Sequence, residues 1–433
     1  MRRSTAGRTT VLALVAAALA VGGAGPAGAV TATVATGPEL AAAFVDPLVD
    51  RIELAADIDV TCADESFRDP LAPTVTIDGG GRTITDLCTE IEATTFWGGA
   101  IDLEDIEIVG PAAPASGAIL RGWDVHVTGA RLVSRGAEAA LIFTSGDVVD
   151  TVIELEGGNA VRGTASGGGL LLDRVTITGT GDGVEWDMSD PALDRVTVRD
   201  STIATTGSPL RAAGPALVER SSFRNGFGSA IFSGPALITA STFALDPALD
   251  RPGLPLTAAI WVPSGADVVL QQSTVLSLAD DPADSPESLR VDVDGRLTLA
   301  GTAIGIGPGS VARACLDEGT IVSEGGNVVV DDTCPQVASD QVVDDLGLEP
   351  YDRATGVAPP LAASPVLDVV PACRSDQDQL GQPRPSGTAC DAGAVERQVA
   401  TPPTTSTTST VPGGGSGPAA PATPVVGPAR FTG

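Results

Sequence analysis

The chain contains no lysine. All 25 of its basic residues are arginine, set against 55 acids, and it has one histidine and one tyrosine. The formal charge of −30 repels phosphate backbones and anionic lipid, which excludes nucleic acid as a natural partner. Aromatic residues make up only 3% of the chain, so any core must be built from aliphatic side chains. With His126 alone and no C-x-x-C spacing among six cysteines, a zinc site cannot be assembled from the usual ligands. The apolar run from Val11 to Val21 is too short to span a bilayer, and no later segment reads as a membrane span. The acidic surface reads as a solubilising one, with calcium binding as the alternative and no other cofactor implied.

What the chain has instead is a phrase, apolar-x-x-apolar/Ser/Thr-x-apolar, that returns about ten times at intervals averaging about 24 residues, the range of solenoids and arrays. It reads as Leu103 to Ile108, Val127 to Leu132, Val148 to Ile153, Leu172 to Ile177, Leu193 to Val198, Val218 to Phe223, Ile238 to Phe243, Leu270 to Val275 and Leu299 to Ile304. A first copy from Ile77 is stretched by Gly79, Gly80 and Gly81. Apolar residues alternate over short stretches rich in Val, Ile and Thr, which is a strand habit, and no part of the repeat region keeps a helical period. Each period holds three short strands and three turns punctuated by Gly, Asp, Asn and Pro. The expected fold is all-β: a right-handed parallel β-helix of about ten coils, stacked about 4.8 Å apart so that equivalent residues form columns.

In LDRVTI (Leu172 to Ile177) the leucine closes one strand facing inward, Asp173-Arg174 makes a tight outward turn, and Val175 and Ile177 resume facing in. The Asp-Arg pairs at 173–174 and 194–195 are expected to form a ladder between coils at this corner. DPALDR occurs at Asp190 and again at Asp246 but out of register, the second copy reading as a loop toward Pro255.

The ends differ from the middle. Arg2, Arg3 and Arg8 precede an apolar run from Val11 to Val21 and an A-x-A site at Ala27 to Ala29, so residues 1–29 are expected to be a cleaved secretion signal. Residues 30–73 read as an N-terminal cap, with a short amphipathic helix (Glu39 to Val45) and strands at Arg51 to Leu54 and Ile58 to Val60, because a terminal coil has one face without a neighbour. The β-helix is expected over 74–312 and a C-terminal β/loop domain over 313–397. Residues 398–433 are Thr, Pro, Gly and Ala with hardly any charge and should stay extended. The final Thr432-Gly433 resembles the end of a sortase signal without its Leu-Pro. Six cysteines in an exported chain argue for disulfides. They allow 15 connectivities, of which neighbour pairing (Cys62 with Cys88, Cys315 with Cys334, Cys373 with Cys390) is the simplest.

Two stretches resemble known families. IELAADIDVTCAD, then TVTIDGGGRTIT and Cys88, looks like the opening of secreted bacterial right-handed parallel β-helix proteins of the pectin-lyase-like superfamily. After Cys315, EGGNVVVDDTC, LGLEP, ASPVLD and DQLGQPRPSGTACDAGAVE resemble a choice-of-anchor Q domain. Val369-Val370 and Gln379-Leu380 depart from that pattern. The resemblance implies a β-helix closed by a domain that precedes a surface-attachment device.

A second register supplies candidate site residues. If the first member of each triplet Leu120-Arg121-Gly122, Leu141-Ile142-Phe143, Val161-Arg162-Gly163, Val184-Glu185-Trp186, Leu210-Arg211-Ala212, Ile231-Phe232-Ser233 and Ile260-Trp261-Val262 faces in, the middle members form one outward row. That row would hold Arg162, Glu185, Arg211, Phe232 and Trp261, with Asp187 beside it. Aromatic faces can stack on sugar rings while guanidiniums hold carboxylates; the competing reading is a cross-strand ladder that only stabilises the sheet. A glycosidase needs two carboxylates flanking a sugar, and the coils on either side of Glu185 and Asp187 bring no second acidic cluster. His126 is expected to face solvent with no nucleophile beside it. The expected protein is therefore a secreted or cell-wall-associated monomer, structural, adhesive or carbohydrate-binding, with a polysaccharide lyase or hydrolase acting on an acidic polysaccharide as the alternative.

Overall fold

A computed structural model describes residues 30–62, 74–90, 94–111, 117–136, 138–163, 168–186, 195–249, 258–278, 287–306 and 313–398. The expected signal segment 1–29, the tail beyond 398, Asp187, Asp190 and Asp194 lie outside those residues. The chain winds as a parallel β-helix whose coils each visit three sheets, here A, B and C. One coil runs Asn159–Gly163 (A), Leu170–Asp173 (B), Thr176–Gly179 (C); the next places Asp182–Trp186, Val196–Arg199 and Thr202–Thr205 beside them, all parallel. Near the start, single strands bend through two or three sheets, as in Thr74–Asp86 and Thr94–Val109.

The recurring phrase marks the corner between sheets B and C, and its third residue explains it. Asp105, Asp150, Arg174, Asp200, Arg220, Ala240 and Gln272 all have φ between 43° and 55°, and Gly129 and Gly301 take the same place at 65° and 62°. A left-handed residue turns the chain within one step, which costs a residue with a Cβ about 1 kcal/mol or more. The fourth residue then offsets part of that cost. Its amide has turned out of the ladder, and from Ser201 to Ser273 the hydroxyl of the next coil accepts it: Ser201 N to Ser221 Oγ at 3.2 Å, Ser221 N to Ser241 Oγ at 3.1 Å, Ser241 N to Ser273 Oγ at 3.3 Å. Each hydroxyl in turn donates to the carbonyl two residues back. A buried seam of serines thus pairs the amides that the turn takes out of the ladder.

One copy of the phrase was misplaced. Val196 and Val198 of LDRVTV lie in sheet B beside Leu170 and Leu172, so Arg195 stands before that sheet and not at the corner. The corner of that coil is Arg199-Asp200, within Val198 to Ile203. The expected ladder between coils exists with this correction: Arg174 forks onto Asp150 at 2.6 and 2.8 Å, and Arg220 onto Asp200 at 2.7 Å through both nitrogens.

Inside, aligned Ile77, Leu103, Val127, Val148, Leu172, Val198, Val218, Ile238, Leu270 and Leu299 form one buried column, each side chain contributing about 1.5–3 kcal/mol by leaving water. Phe223 and Phe243 stack on successive coils with centroids 4.7 Å apart. The expected N-terminal helix forms over Gly37–Phe44, with Thr36 as its N-cap. Its Leu40 and Phe44 are buried in the main core, Phe44 against Phe96 at 5.6 Å. All three disulfides join neighbouring cysteines: Cys62–Cys88, Cys315–Cys334 and Cys373–Cys390.

The ladder continues through Cys315–Asp317, Thr320–Ser323 and Val328–Val329. Beyond residue 344 the chain runs back along the outer face of sheet C as a strap. Leu346, Val366, Val370 and Cys390 bury a second apolar cluster with Leu276, Ala303 and Val328. Polar ties fix the rest: Ala394 N donates to Thr274 Oγ1 at 2.8 Å, Gln379 meets Thr242, and Gln272 Oε1 accepts the amides of Arg374 and Ser375 at 2.6 and 3.0 Å. Within the strap, buried Arg384 reaches Glu396 at 3.1 Å and two backbone carbonyls.

Candidate functional site

The outer face of sheet A carries one unbroken row. Register places Trp97, Arg121, Ile142, Arg162, Glu185, Arg211, Ile231, Trp261 and Arg290 side by side on successive coils. Arg162, Glu185, Arg211 and Trp261 therefore stand where the triplets put them. Phe232 does not. Its strand is Ala230–Phe232, with Ala230 and Phe232 facing in and Ile231 facing out, and Phe232 is 0% exposed, edge-on to Phe243. Small Ala230 occupies a column otherwise held by larger side chains, so the triplet was read one residue late.

Glu185 is the centre of a charge ladder. Its oxygens meet Asn159 Nδ2 at 2.7 Å, Arg211 Nη1 at 3.2 Å and Arg162 Nε at 3.6 Å. Two coils earlier, Glu138 is shared by Arg162 and, at 3.5 Å, Arg121. The cross-strand ladder is thus real. At the other end Trp261 donates its indole N–H to Asp292 at 2.9 Å under the guanidinium of Arg290, 5.5 Å from the ring.

Where the ladder meets the first coils, the surface opens into a groove of about 570 Å³ lined by Trp97, Arg121, Trp123, Glu138, Ile142 and Arg162. Arg121 lies 5.4 Å over the Trp97 ring and its Nε is buried with no hydrogen-bond partner. Trp97 is 37% and Trp123 67% exposed, unusual for the largest apolar side chain in a chain so poor in aromatics. Glycines 98, 122 and 163 floor the groove. Sequence reasoning missed both indoles. Extending the row one coil before Leu120 reaches Phe96-Trp97-Gly98, and Trp123 follows Arg121 by the two-residue strand period.

Around the corner on sheet B the strand Ala118–Thr128 continues from Trp123 into Asp124 and His126. As expected, His126 faces outward. It is not simply solvated: Nδ1 meets Asp147, and Nε2 lies 3.6 Å from Asp124 Oδ2. Partial burial disfavours its charged form, but the Asp147 hydrogen bond and the charges of Asp147, Asp124 and Asp102 outweigh this and raise its pKa. Burial also raises the pKa of Asp102. Among the described residues, no group of three or more His, Cys, Asp or Glu side chains is arranged to hold a metal ion, and no helix is long and apolar enough to cross a membrane.

Residues 31–122 match a family described as a putative pectate lyase-like adhesive domain. That stretch runs from the first strand through Trp97 and Arg121 to the floor of the groove. No curated protein and no solved structure matches the chain.

Proposed function

We propose that this chain is an exported, non-catalytic binding protein whose groove on sheet A holds a stretch of glycan bearing carboxylates. The observation that carries the reading is the pair of exposed indoles, Trp97 and Trp123, flanking Arg121 and Arg162 in one groove. Indole faces take the apolar C–H faces of sugar rings, and guanidinium forks take carboxylates two oxygens at a time. Elsewhere the surface of so acidic a chain repels a polyanion. Here Glu138 and Glu185 are neutralised by arginines, which leaves the groove the region of least repulsion along the row. The adhesive description of the family matched over residues 31–122 supports binding as the role.

The same ion pairs argue against catalysis. Glycoside cleavage asks one carboxyl to give a proton and another to act as base or nucleophile, whereas Glu138 and Glu185 are each tied to two arginines. Three disulfides support an extracellular setting, as does the leader read at residues 1–29.

The test is a panel of neutral and uronic-acid glycans presented to the purified protein with and without calcium. Retention of uronic-acid chains without new reducing or unsaturated ends is the expected result. Release of such ends would replace binding by catalysis, and retention on no glycan would remove the reading altogether.

A further inference from the structure

The chain's one histidine sits three residues beyond Trp123, on the same strand, in a setting that ties its charge to the groove. Every charged group facing it is an acid. Asp102 and Glu104 come from the coil before, Asp147 from the coil after, and Asp124 from its own strand. Arg51, three coils back, is already engaged by Asp78 and Glu104. The imidazolium is thus the cation among Asp102, Asp124 and Asp147, which stand on consecutive coils about 4.8 Å apart.

Asp124 links this cluster to the groove. One of its oxygens lies 3.6 Å from His126 Nε2, and the other accepts Ser145 Oγ at 2.7 Å. The single hydroxyl proton of Ser145 goes to this nearer acceptor; the Trp123 carbonyl, 3.4 Å from the hydroxyl, accepts the neighbouring amide of Thr144 at 3.2 Å. Thr144 and Trp123 both line the groove.

We infer that His126 gates the groove: while protonated it holds Asp124 in place and, through Ser145, fixes the backbone that presents Trp123, and loss of its proton loosens that presentation. The inference rests on the glycan-binding reading above. Deprotonation leaves three carboxylates on adjacent coils without their cation. They repel one another and they repel an approaching polyanion, so both effects weaken binding as pH rises. Acid-side binding follows from the sign: the proton is retained where the ligand is held.

The experiment measures affinity of the full chain for a polygalacturonate oligomer from about pH 6 to about pH 9, alongside the NMR titration of the lone imidazole, whose ordinary pKa is about 6.5. Affinity is expected to fall about tenfold as the imidazole titrates, the equivalent of a one-unit change in its pKa between free and bound protein. By reciprocity, saturating ligand should move the imidazole midpoint upward by the same factor. His126→Gln should bind weakly at every pH with no dependence on it, and Asp147→Asn should move the midpoint of the affinity curve downward. Constant affinity while the imidazole titrates, or a pH dependence that survives in His126→Gln, overturns the gate and leaves the groove standing. Absence of binding at every pH removes the groove reading and the gate with it.

Discussion

Asp246 and Arg353 are 107 residues apart in sequence and meet in a two-pronged ion pair, Nε on Oδ2 at 2.6 Å and Nη2 on Oδ1 at 2.9 Å. The carboxylate is completely buried, and it also accepts Arg224 and the amide of Ala248. This pair clasps the strap to the coil of Thr242–Leu245. Burial alone would raise the pKa of Asp246, but the Arg353 hydrogen bonds, the Ala248 amide and the charges of Arg353 and Arg224 outweigh it and hold the carboxyl below its ordinary range.

Asp246→Ala should cost about 2–3 kcal/mol, less than a fully buried pair because Arg353 is half exposed. A group with a lowered folded pKa stabilises above its unfolded value and loses that contribution as pH falls through the folded one. Strap stability should therefore hold above about pH 4 and decline below it, a dependence that Asp246→Ala abolishes. Hydrogen exchange of residues 346–358 against pH reads both effects.

Gly163→Ala should destabilise by roughly 1–3 kcal/mol. A Cβ at Gly163 would lie 2.4 Å from the Trp186 ring, which is buried on the next coil. The indole leans across the coil of Gly163 to pack edge-on against Phe143 at 5.5 Å, so it fills the space that a methyl group would need. Thermal unfolding measures the loss, and a paired Trp186→Phe substitution should recover part of it.

Trp97→Ala and Trp123→Ala should each weaken uronic-acid glycan binding about 3- to 10-fold, the range of a single aromatic contact. Trp261→Ala should leave that affinity unchanged and instead lower stability by about 1 kcal/mol, because its indole is spent on Asp292 and Arg290. Glycan affinity and denaturant midpoints of the three variants separate the two outcomes.

Replacing Cys373 and Cys390 by serine should cost about 3 kcal/mol, felt first in the strap. The bridge closes a separation of 17 residues beside Val370, whose backbone pairs with that of Cys390 in both directions. Limited proteolysis should cut within 371–391 while the coils stay intact.

The solenoid was legible because its signal repeats. Any one phrase is weak, but inward Leu103, Val127, Val148 and Leu172 share a spacing that only a stacked fold explains. The two errors share a cause: LDRVTV imitates the corner from a neighbouring position, and Ala230 is too small to announce the inward column that Phe232 completes. Residue identity misled where strand pairing decides. The indoles of the groove lay one coil outside the row that sequence reasoning followed. The strap was less accessible still. Its motifs stood out as a segment, yet its partners Thr242, Asp246, Gln272 and Thr274 carry no local mark, and Asp246 reads as an ordinary loop aspartate. Contacts over more than a hundred residues leave no periodic trace.

The strap also decides how the body meets mechanical load. Because the chain doubles back, its last described residues lie against the flank of the coils that hold Thr242 and Thr274, not at the open end of the stack. A pull applied at Gln398 would not unzip the terminal coil one rung at a time. It would load the clasps at Thr274, Gln272, Thr242 and Asp246 together, in shear along the side of the rod, where many bonds must yield at once.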